Sequence, residues 1–493
     1  MTLAFNPHAA RLALTRLPDL AAQESLIPPA LTQIYVPARH AKALNLDASV
    51  VVGMRGAGKS WWTAVLASDV HRAFVSGQIQ GSSMARVTAR VGFGLEETGD
   101  NFPRSETLSE LVDQEGFDPV EIWQTVVLRH ALRAAYPDRQ LPFADRAWKK
   151  AIQWYIGHRD EANNLLTECD TRLAAEKRVL LVLFDAFDRL ATDWEKVRLL
   201  TRGALKVGLI LRSRQAIRTK FFLRPDLDED EEVWLFPDSS KLRHAKVDLA
   251  WSSEDLYGLI FMHLGNAPDF GTKFREATNQ AYGVKWSRVE GVYVLPQHFS
   301  HDNEAQRSIV EALADRTMGG GSRRGYTYSW VPLHLADAKG RISPRSYLLA
   351  FKKAAEYTAE HRPDHSLALN YMGIQQGVVK ASEVRVNEIS EDYPWIWPLL
   401  QAARGAVVPM TTAEVSERWS ADCLRQMKKD AGTKLPPRRY TNDPFRKGSE
   451  DALIDDLVEL AVLYRTKDGR LNMPDIFRVG LGIRRRGGVR PPR

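Results

Sequence analysis

Eight residues constrain this chain more than any others. Gly53-Met54-Arg55-Gly56-Ala57-Gly58-Lys59-Ser60 matches the pattern G-x-x-x-x-G-K-[ST] at every fixed position. An apolar run, Ala48 to Val52, precedes it and reads as a buried strand; Trp61 to Val70 follows and reads as a helix. Phosphate binding requires this layout. The glycines let the backbone fold tightly and aim several N–H groups at phosphate oxygens. The helix N-terminus adds partial positive charge. Lys59 then reaches the β- and γ-phosphates and the Ser60 hydroxyl holds Mg²⁺. The residues expected to contact the nucleotide are Gly53, Arg55, Gly56, Ala57, Gly58, Lys59, Ser60 and Trp61.

A second stretch completes the chemistry. Arg178-Val179-Leu180-Leu181-Val182-Leu183-Phe184-Asp185 is a continuous aliphatic run ending in an acid. Such a run reads as a central parallel strand buried on both faces. Asp185 falls at its carboxyl end, where open α/β sheets place ligands, so Ser60 and Asp185 are the expected metal pair. The two motifs stand about 125 residues apart in the order a Mg²⁺-dependent nucleoside triphosphatase requires. Asp188 follows three residues on, where a helix N-cap is one reading. Ala216 to Leu223 predicts another strand, ending at Arg224-Pro225-Asp226.

The rest of the chain predicts four parts. Residues 1–45 form a lead-in with one amphipathic helix, Arg11 to Ala22, and an extended segment at Ile34-Tyr35-Val36-Pro37. Residues 46–250 form an α/β nucleotide domain. In it, Ala73 to Ser76 is expected as a second strand and Lys246 to Leu249 as a further one. A helical insertion or elaborated crossover is expected near 105–160. Residues 251–360 read as a helical lid: Ser252 with Asp255 starts one helix and Ser343-Pro344-Arg345 another. Residues 361–493 read as a C-terminal winged-helix-like α+β module. There Thr411 with Glu414 and Ser449 cap helices, and Val462 to Met473 forms a hairpin turning at Asp468-Gly469.

At 44% hydrophobic and 26% charged, the 493 residues can bury a large core. Two cysteines, Cys169 and Cys423, exclude a disulfide framework and a Cys-based zinc site. The sequence shows no secretory h-region and no apolar run long enough for a membrane span, so a cytoplasmic protein is expected. The net charge of +7 is compatible with nucleic acid without being diagnostic. The tail carries Arg484, Arg485, Arg486, Arg490 and Arg493, whereas Asp226 to Glu232 is almost wholly acidic; both read by default as solvated segments. His298 and His301 have a metal-like spacing but no third ligand.

Together the phosphate loop and Asp185-Ala186-Phe187-Asp188-Arg189 resemble a P-loop NTPase of the additional-strand class. Within it, the likeness is to signal-transducing ATPases with numerous domains, the NACHT and KAP groups, and to AAA+ relatives. The resemblance implies that Asp188 polarises the attacking water. It implies that Arg224 senses the γ-phosphate from the end of the strand following the Mg²⁺ strand; the alternative is a salt bridge to the acidic run. It implies that Arg345 reaches the nucleotide from the lid; the alternative is an ordinary first-turn residue. Arg214, Arg218 and Arg323 are unranked candidates for an arginine finger. KAP relatives commonly carry membrane segments and this chain shows none.

The function implied is an ATP-hydrolysing switch acting on an effector or sensor protein, with homo-oligomer assembly compatible, in bacterial defence against phage or plasmids. A second reading is an AAA+ loader or remodeller that contacts DNA through its C-terminal winged helix and basic tail. A third is a scaffold that holds nucleotide without turnover.

Overall fold

The computed structural model describes residues 3–18, 26–79, 81–95, 99–143, 147–432, 435–443 and 445–486, apart from the side chains of Ser300 and His301. The end of the basic tail, with Arg490 and Arg493, lies outside the described residues. The chain clusters into two compact units, Ala22–Ala250 and Met1–Ala21 with Trp251–Arg493. The lead-in thus divides, its start grouping with the C-terminal unit and the remainder with the nucleotide domain.

The first unit is built on one parallel sheet. Strands β1 (Val50–Val52), β2 (Val87–Phe93), β3 (Val179–Phe184), β4 (Ile217–Leu223) and β5 (Val247–Asp248) lie in the order β2-β3-β4-β1-β5. Every neighbouring pair is parallel. β3 is buried from Leu180 to Phe184, as its unbroken aliphatic run requires. β4 sits between the loop-bearing β1 and the Asp-bearing β3.

Two expectations fail here. Ala73 to Ser76 is not a strand but the end of a helix, Asp69–Ser76. Four apolar-leaning residues are too few to distinguish the two periods. The helix is fixed by Arg72, buried, whose guanidinium donates to the carbonyls of Leu66 (2.6 Å) and Val87 (2.7 Å). The second strand is instead β2. Its Val87, Ala89 and Val91 are buried while Arg90 is exposed, the alternation of an edge strand. Among the described residues between β2 and β3 run the helices Ser105–Asp113, Pro119–Ala135, Trp148–Gly157 and Arg159–Ala175. Pro119–Ala135 is buried along most of its length and packs on β2, β3 and the helix Trp194–Leu211, so it is the crossover layer of the sheet.

The acidic run is also not a solvated loop. Asp226, Asp228 and Asp230 are buried. Asp228 accepts from Lys246 (2.7 Å), and Asp230 from Arg198 (2.6 Å) and the Trp194 indole (3.1 Å). Alternate acids point inward, each against a cation, which offsets the cost of burying charge.

Behind the phosphate loop, Lys220 on β4 is fully buried and donates to the carbonyls of Ala43, Asn45 and Ala48 (2.8, 2.9 and 2.5 Å). A cation there closes the C-terminus of the helix Ala38–Leu44. The Trp62 indole N–H donates to His40 Nδ1 (3.2 Å), which leaves His40 Nε2–H to donate to the Ala250 carbonyl (3.1 Å). His40 is therefore neutral, and burial pushes it down to about 3.

The second unit is mostly helical. Pro344–His361 and Tyr371–Asp392 form its closest helix pair, and the N-terminal helix Pro7–Thr15 packs against the first of them. Arg11, buried, donates to the carbonyls of Ala368 (3.0 Å) and Pro363 (2.9 Å). The residues that follow include Thr412–Ser416, begun by a full Thr411/Glu414 capping box, and Glu450–Glu459, capped by Ser449. A two-stranded antiparallel hairpin, Tyr464–Arg465 with Leu471–Asn472, comes next, and Asp475–Arg478 packs back on Tyr371–Asp392. The tail contributes a short strand: Arg484–Arg485 pairs in parallel with Val407–Val408. No helix among the described residues is long and apolar enough to cross a membrane.

Two predictions follow from packing and burial. A Cβ on Gly377 would come within 2.0 Å of the Ala350 carbonyl oxygen. Gly377→Ala gains about 1 kcal/mol of helix propensity but forces two helix backbones apart, at about 1–3 kcal/mol. The strain wins, so the urea midpoint falls; an unchanged or higher midpoint would show that the pair is not packed as described. Separately, burial holds His40 and His130 at about 3, below their ordinary 6.5. Between those values the unfolded chain binds protons that the folded chain refuses. The stability they contribute is complete above pH 6.5 and is lost as pH falls toward 3, by up to about 1.4 kcal/mol per pH unit for each group. Urea unfolding at pH 7 and pH 5 should show this loss, and a shallower one in His40→Asn.

Candidate nucleotide-binding site

The site is assembled at the carboxyl ends of β1, β3 and β4. β1 ends at Val52, and the Gly53 N–H donates to the Leu223 carbonyl at the end of β4 (3.0 Å). The loop then turns through Gly56 (φ 78°) and Gly58 (φ 104°), left-handed angles that favour glycine. The helix Lys59–Ala67 begins immediately after. Its first N–H groups are the donors that a phosphate would take up.

Lys59 Nζ donates to the carbonyls of Gly53 (2.7 Å) and Met54 (3.0 Å), folding the side chain over the loop. Burial lowers its ammonium to about 8; Asp185 pulls it up and Arg224 pushes it down. Arg55, Gly56, Ser60 and Trp61 are half-buried around the loop and Ala57 is buried within it. Trp61 stands edge-on to the buried Trp62, with ring centres 4.6 Å apart.

Asp185 is 1% exposed, and neither carboxylate oxygen has a hydrogen-bond partner. Its N–H donates to the Phe93 carbonyl (2.9 Å), which fixes the end of β3. Burial raises its carboxyl, while neighbouring Ser60 and Lys59 favour the charged form without closing a hydrogen bond of good geometry. A buried carboxylate left unbonded costs free energy unless something binds it. Its neighbour Ser60 supplies a second oxygen. Two hard oxygen donors suit Mg²⁺. No cluster of three His, Cys, Asp or Glu among the described residues could hold a metal alone, so phosphate oxygens and water would complete the coordination.

The chain turns sharply after Asp185. Ala186 adopts φ 54°, and a short 3-10 turn, Phe187–Arg189, carries Asp188 back toward the site. Asp188 is not the helix cap: Asp193 is, accepting from the Lys196 N–H (3.2 Å) at the start of Trp194–Leu211. Asp188 Oδ2 lies 3.6 Å from Arg224 Nη1. Burial would raise the Asp188 carboxyl, but Arg224 and Lys59 outweigh it and hold the group below its ordinary range.

Arg224, 8% exposed, follows the last residue of β4 and precedes the short helix Pro225–Asp228. Its Nε donates to Asp226 Oδ1 (3.2 Å). Arg224 thus makes the salt bridge to the acidic run, through Asp226, and also faces Asp188. The structure thus unites Lys59, Ser60, Asp185, Asp188 and Arg224. Arg345 belongs to the other unit, where its Nη1 donates to Glu388 Oε1 (2.6 Å), and Arg385 donates to the second Glu388 oxygen (3.1 Å). Asp226 is the member that sequence reasoning passes over. The signal was the acid two residues after an Arg at a strand end, hidden inside a run read as solvated.

No family model and no curated protein matches the chain. Among solved structures, the chain aligns with the ORC2 protein of Aeropyrum pernix, in ADPNP–ADP complexes, at 16% identity and TM-score 0.28, covering 91% of each chain. It aligns with Cdc6p of Pyrobaculum aerophilum at 12% identity and TM-score 0.30, covering 93% of this chain and 95% of that one. Likeness this distant carries no argument about the chain's activity, which rests on the residues of its own site.

Proposed function

We propose that the protein is a Mg²⁺-dependent ATP-binding and hydrolysing switch whose nucleotide state governs assembly or activation of a partner. One observation carries the reading. A buried, unbonded carboxylate, Asp185, stands beside the hydroxyl and ammonium of the phosphate-loop helix, at the carboxyl edge of a parallel sheet. That is a site built for a cation and a polyphosphate.

The geometry supports a role for each residue. The loop N–H groups and Lys59 bind phosphate oxygens, Lys59 exchanging two loop carbonyls for them. Ser60 and Asp185 hold Mg²⁺, which when bound neutralises charge on the phosphates. Asp188, kept ionised by Arg224, accepts a hydrogen bond from water and orients it. Arg224 donates to the γ-phosphate through a planar, permanently charged head. Arg345, in the unit beyond residue 250, is the lid reporter that the resemblance implies. The resemblance to signalling ATPases supports a protein effector and a role in bacterial defence, in a cytoplasmic homo-oligomer.

A specific observation supports the DNA-loading alternative. The C-terminal residues hold the helix Ala421–Ala431, exposed along most of its surface and carrying Arg425, Lys428 and Lys429, together with a terminal hairpin. Exposed cations on a helix suit duplex phosphates.

Phosphate release from ATP tests the readings. The wild type turns over ATP only with Mg²⁺. Lys59→Ala loses nucleotide binding, and Asp185→Asn loses turnover at any Mg²⁺ concentration. Asp188→Asn binds ATP yet hydrolyses it at least about 100-fold more slowly. A wild type that binds ATP but never turns it over defeats the hydrolytic reading and favours the scaffold. Severalfold stimulation by duplex DNA favours the loader.

A further inference from the structure

Three buried acids of one run behave differently. Asp228 ties the corner after β4 to Lys246, and Asp230 ties it to Arg198 and Trp194 on another helix. These two staple separate elements together. Asp226 staples nothing. Among the described residues its carboxylate accepts one hydrogen bond, from Arg224 two residues earlier, and its buried Oδ2 accepts none.

That local contact matters because of where it places the guanidinium. Arg224 is extended (φ −85°, ψ 156°), and Pro225 at the first helical position fixes the corner. Asp226 engages Nε, and Nη1 is then directed toward Asp188 at 3.6 Å. An arginine side chain carries about 2 kcal/mol of rotamer entropy, and a γ-phosphate can be read only if that freedom is removed beforehand. Asp226 removes it without occupying the ends of the fork.

We infer that Asp226 is a positioning residue: it holds Arg224 by Nε so that the outer nitrogens of the guanidinium distinguish a nucleoside triphosphate from a diphosphate. The inference rests on the nucleotide-switch reading and deepens it. It concerns Asp226 toward the γ-phosphate and needs no turnover to be examined.

The experiment compares Kd for ADP and for a non-hydrolysable ATP analogue, by titration with Mg²⁺, in wild type, Asp226→Asn, Arg224→Ala and the double variant. Loss of one negative charge near the phosphates leaves ADP affinity equal or tighter, whereas loss of the tether lowers the preference for triphosphate about tenfold. In the Arg224→Ala background, Asp226→Asn changes that preference no further, because it acts through the missing guanidinium. A role in stability alone would move the melting temperature and not the ratio. Asp226→Ser, read in the same way, serves where Asp226→Asn does not fold.

An unchanged or increased triphosphate preference in Asp226→Asn overturns the inference while leaving the switch reading intact. So does an equal additional loss in the Arg224→Ala background. A wild type with no triphosphate preference overturns it as well, since Arg224 would then read nothing. A wild type that binds neither nucleotide defeats the switch reading itself, and the inference with it.

Discussion

The site depends on one strand lying between two others. β4 pairs with β1 through Val50–Val52 and with β3 through Leu180–Phe184. Neighbouring strands run about 4.8 Å apart, so the loops after β1 and β3 leave the sheet about 10 Å from each other. That gap is the scale of a phosphate chain with its cation. The corner after β4 opens into the middle of it. Lys59 and Ser60 therefore approach from one side, Asp185 and Asp188 from the other, and Arg224 from between them. Parallel pairing makes all three corners emerge at the same edge; an antiparallel β4 would send Arg224 to the far end.

The charges at that edge hold one another in place. Lys59 and Arg224 face Asp185, Asp188 and Asp226. With all five groups ionised the cluster is nearly balanced, which is why burial at the sheet edge is tolerable. The balance is uneven in its bonding. Arg224 is engaged by two acids, and Lys59 by two carbonyls, whereas Asp185 stands with both oxygens unbonded. A low local dielectric strengthens made interactions and penalises unmade ones alike. The penalty falls most heavily on Asp185, whereas Asp226 leaves one oxygen unbonded.

Much of this was legible in the sequence, and for identifiable reasons. β3 announces itself because burial on both faces demands an unbroken aliphatic run. The phosphate loop does so because glycines at Gly56 and Gly58 answer a backbone requirement. β2 is missed because an edge strand shows its exposed face: Thr88 and Arg90 interrupt the apolar signal. Ala73 to Ser76 is misread because the partner that decides it, Arg72 reaching the Val87 carbonyl, involves a contact that sequence order does not reveal. The acidic run is the most informative failure. Composition alone makes seven such residues look solvated, yet Asp226, Asp228 and Asp230 alternate inward toward cations drawn from three places in the chain. Pairing with particular cations, not composition, decided their burial.

The bonding asymmetry says where binding energy must come from. Lys59 already donates two hydrogen bonds, so its engagement of phosphate exchanges partners and gains little net enthalpy. The phosphate-loop N–H groups at a helix start are ordinarily solvated, so they too exchange water for phosphate. Asp185 alone begins without hydrogen bonds in a dry position. Occupation of that carboxylate relieves a cost that the folded chain otherwise bears. Affinity in such a site therefore depends on the acid that ends β3 as well as on the lysine that defines the motif, and nucleotide retention should be coupled tightly to the cation that Asp185 and Ser60 can hold.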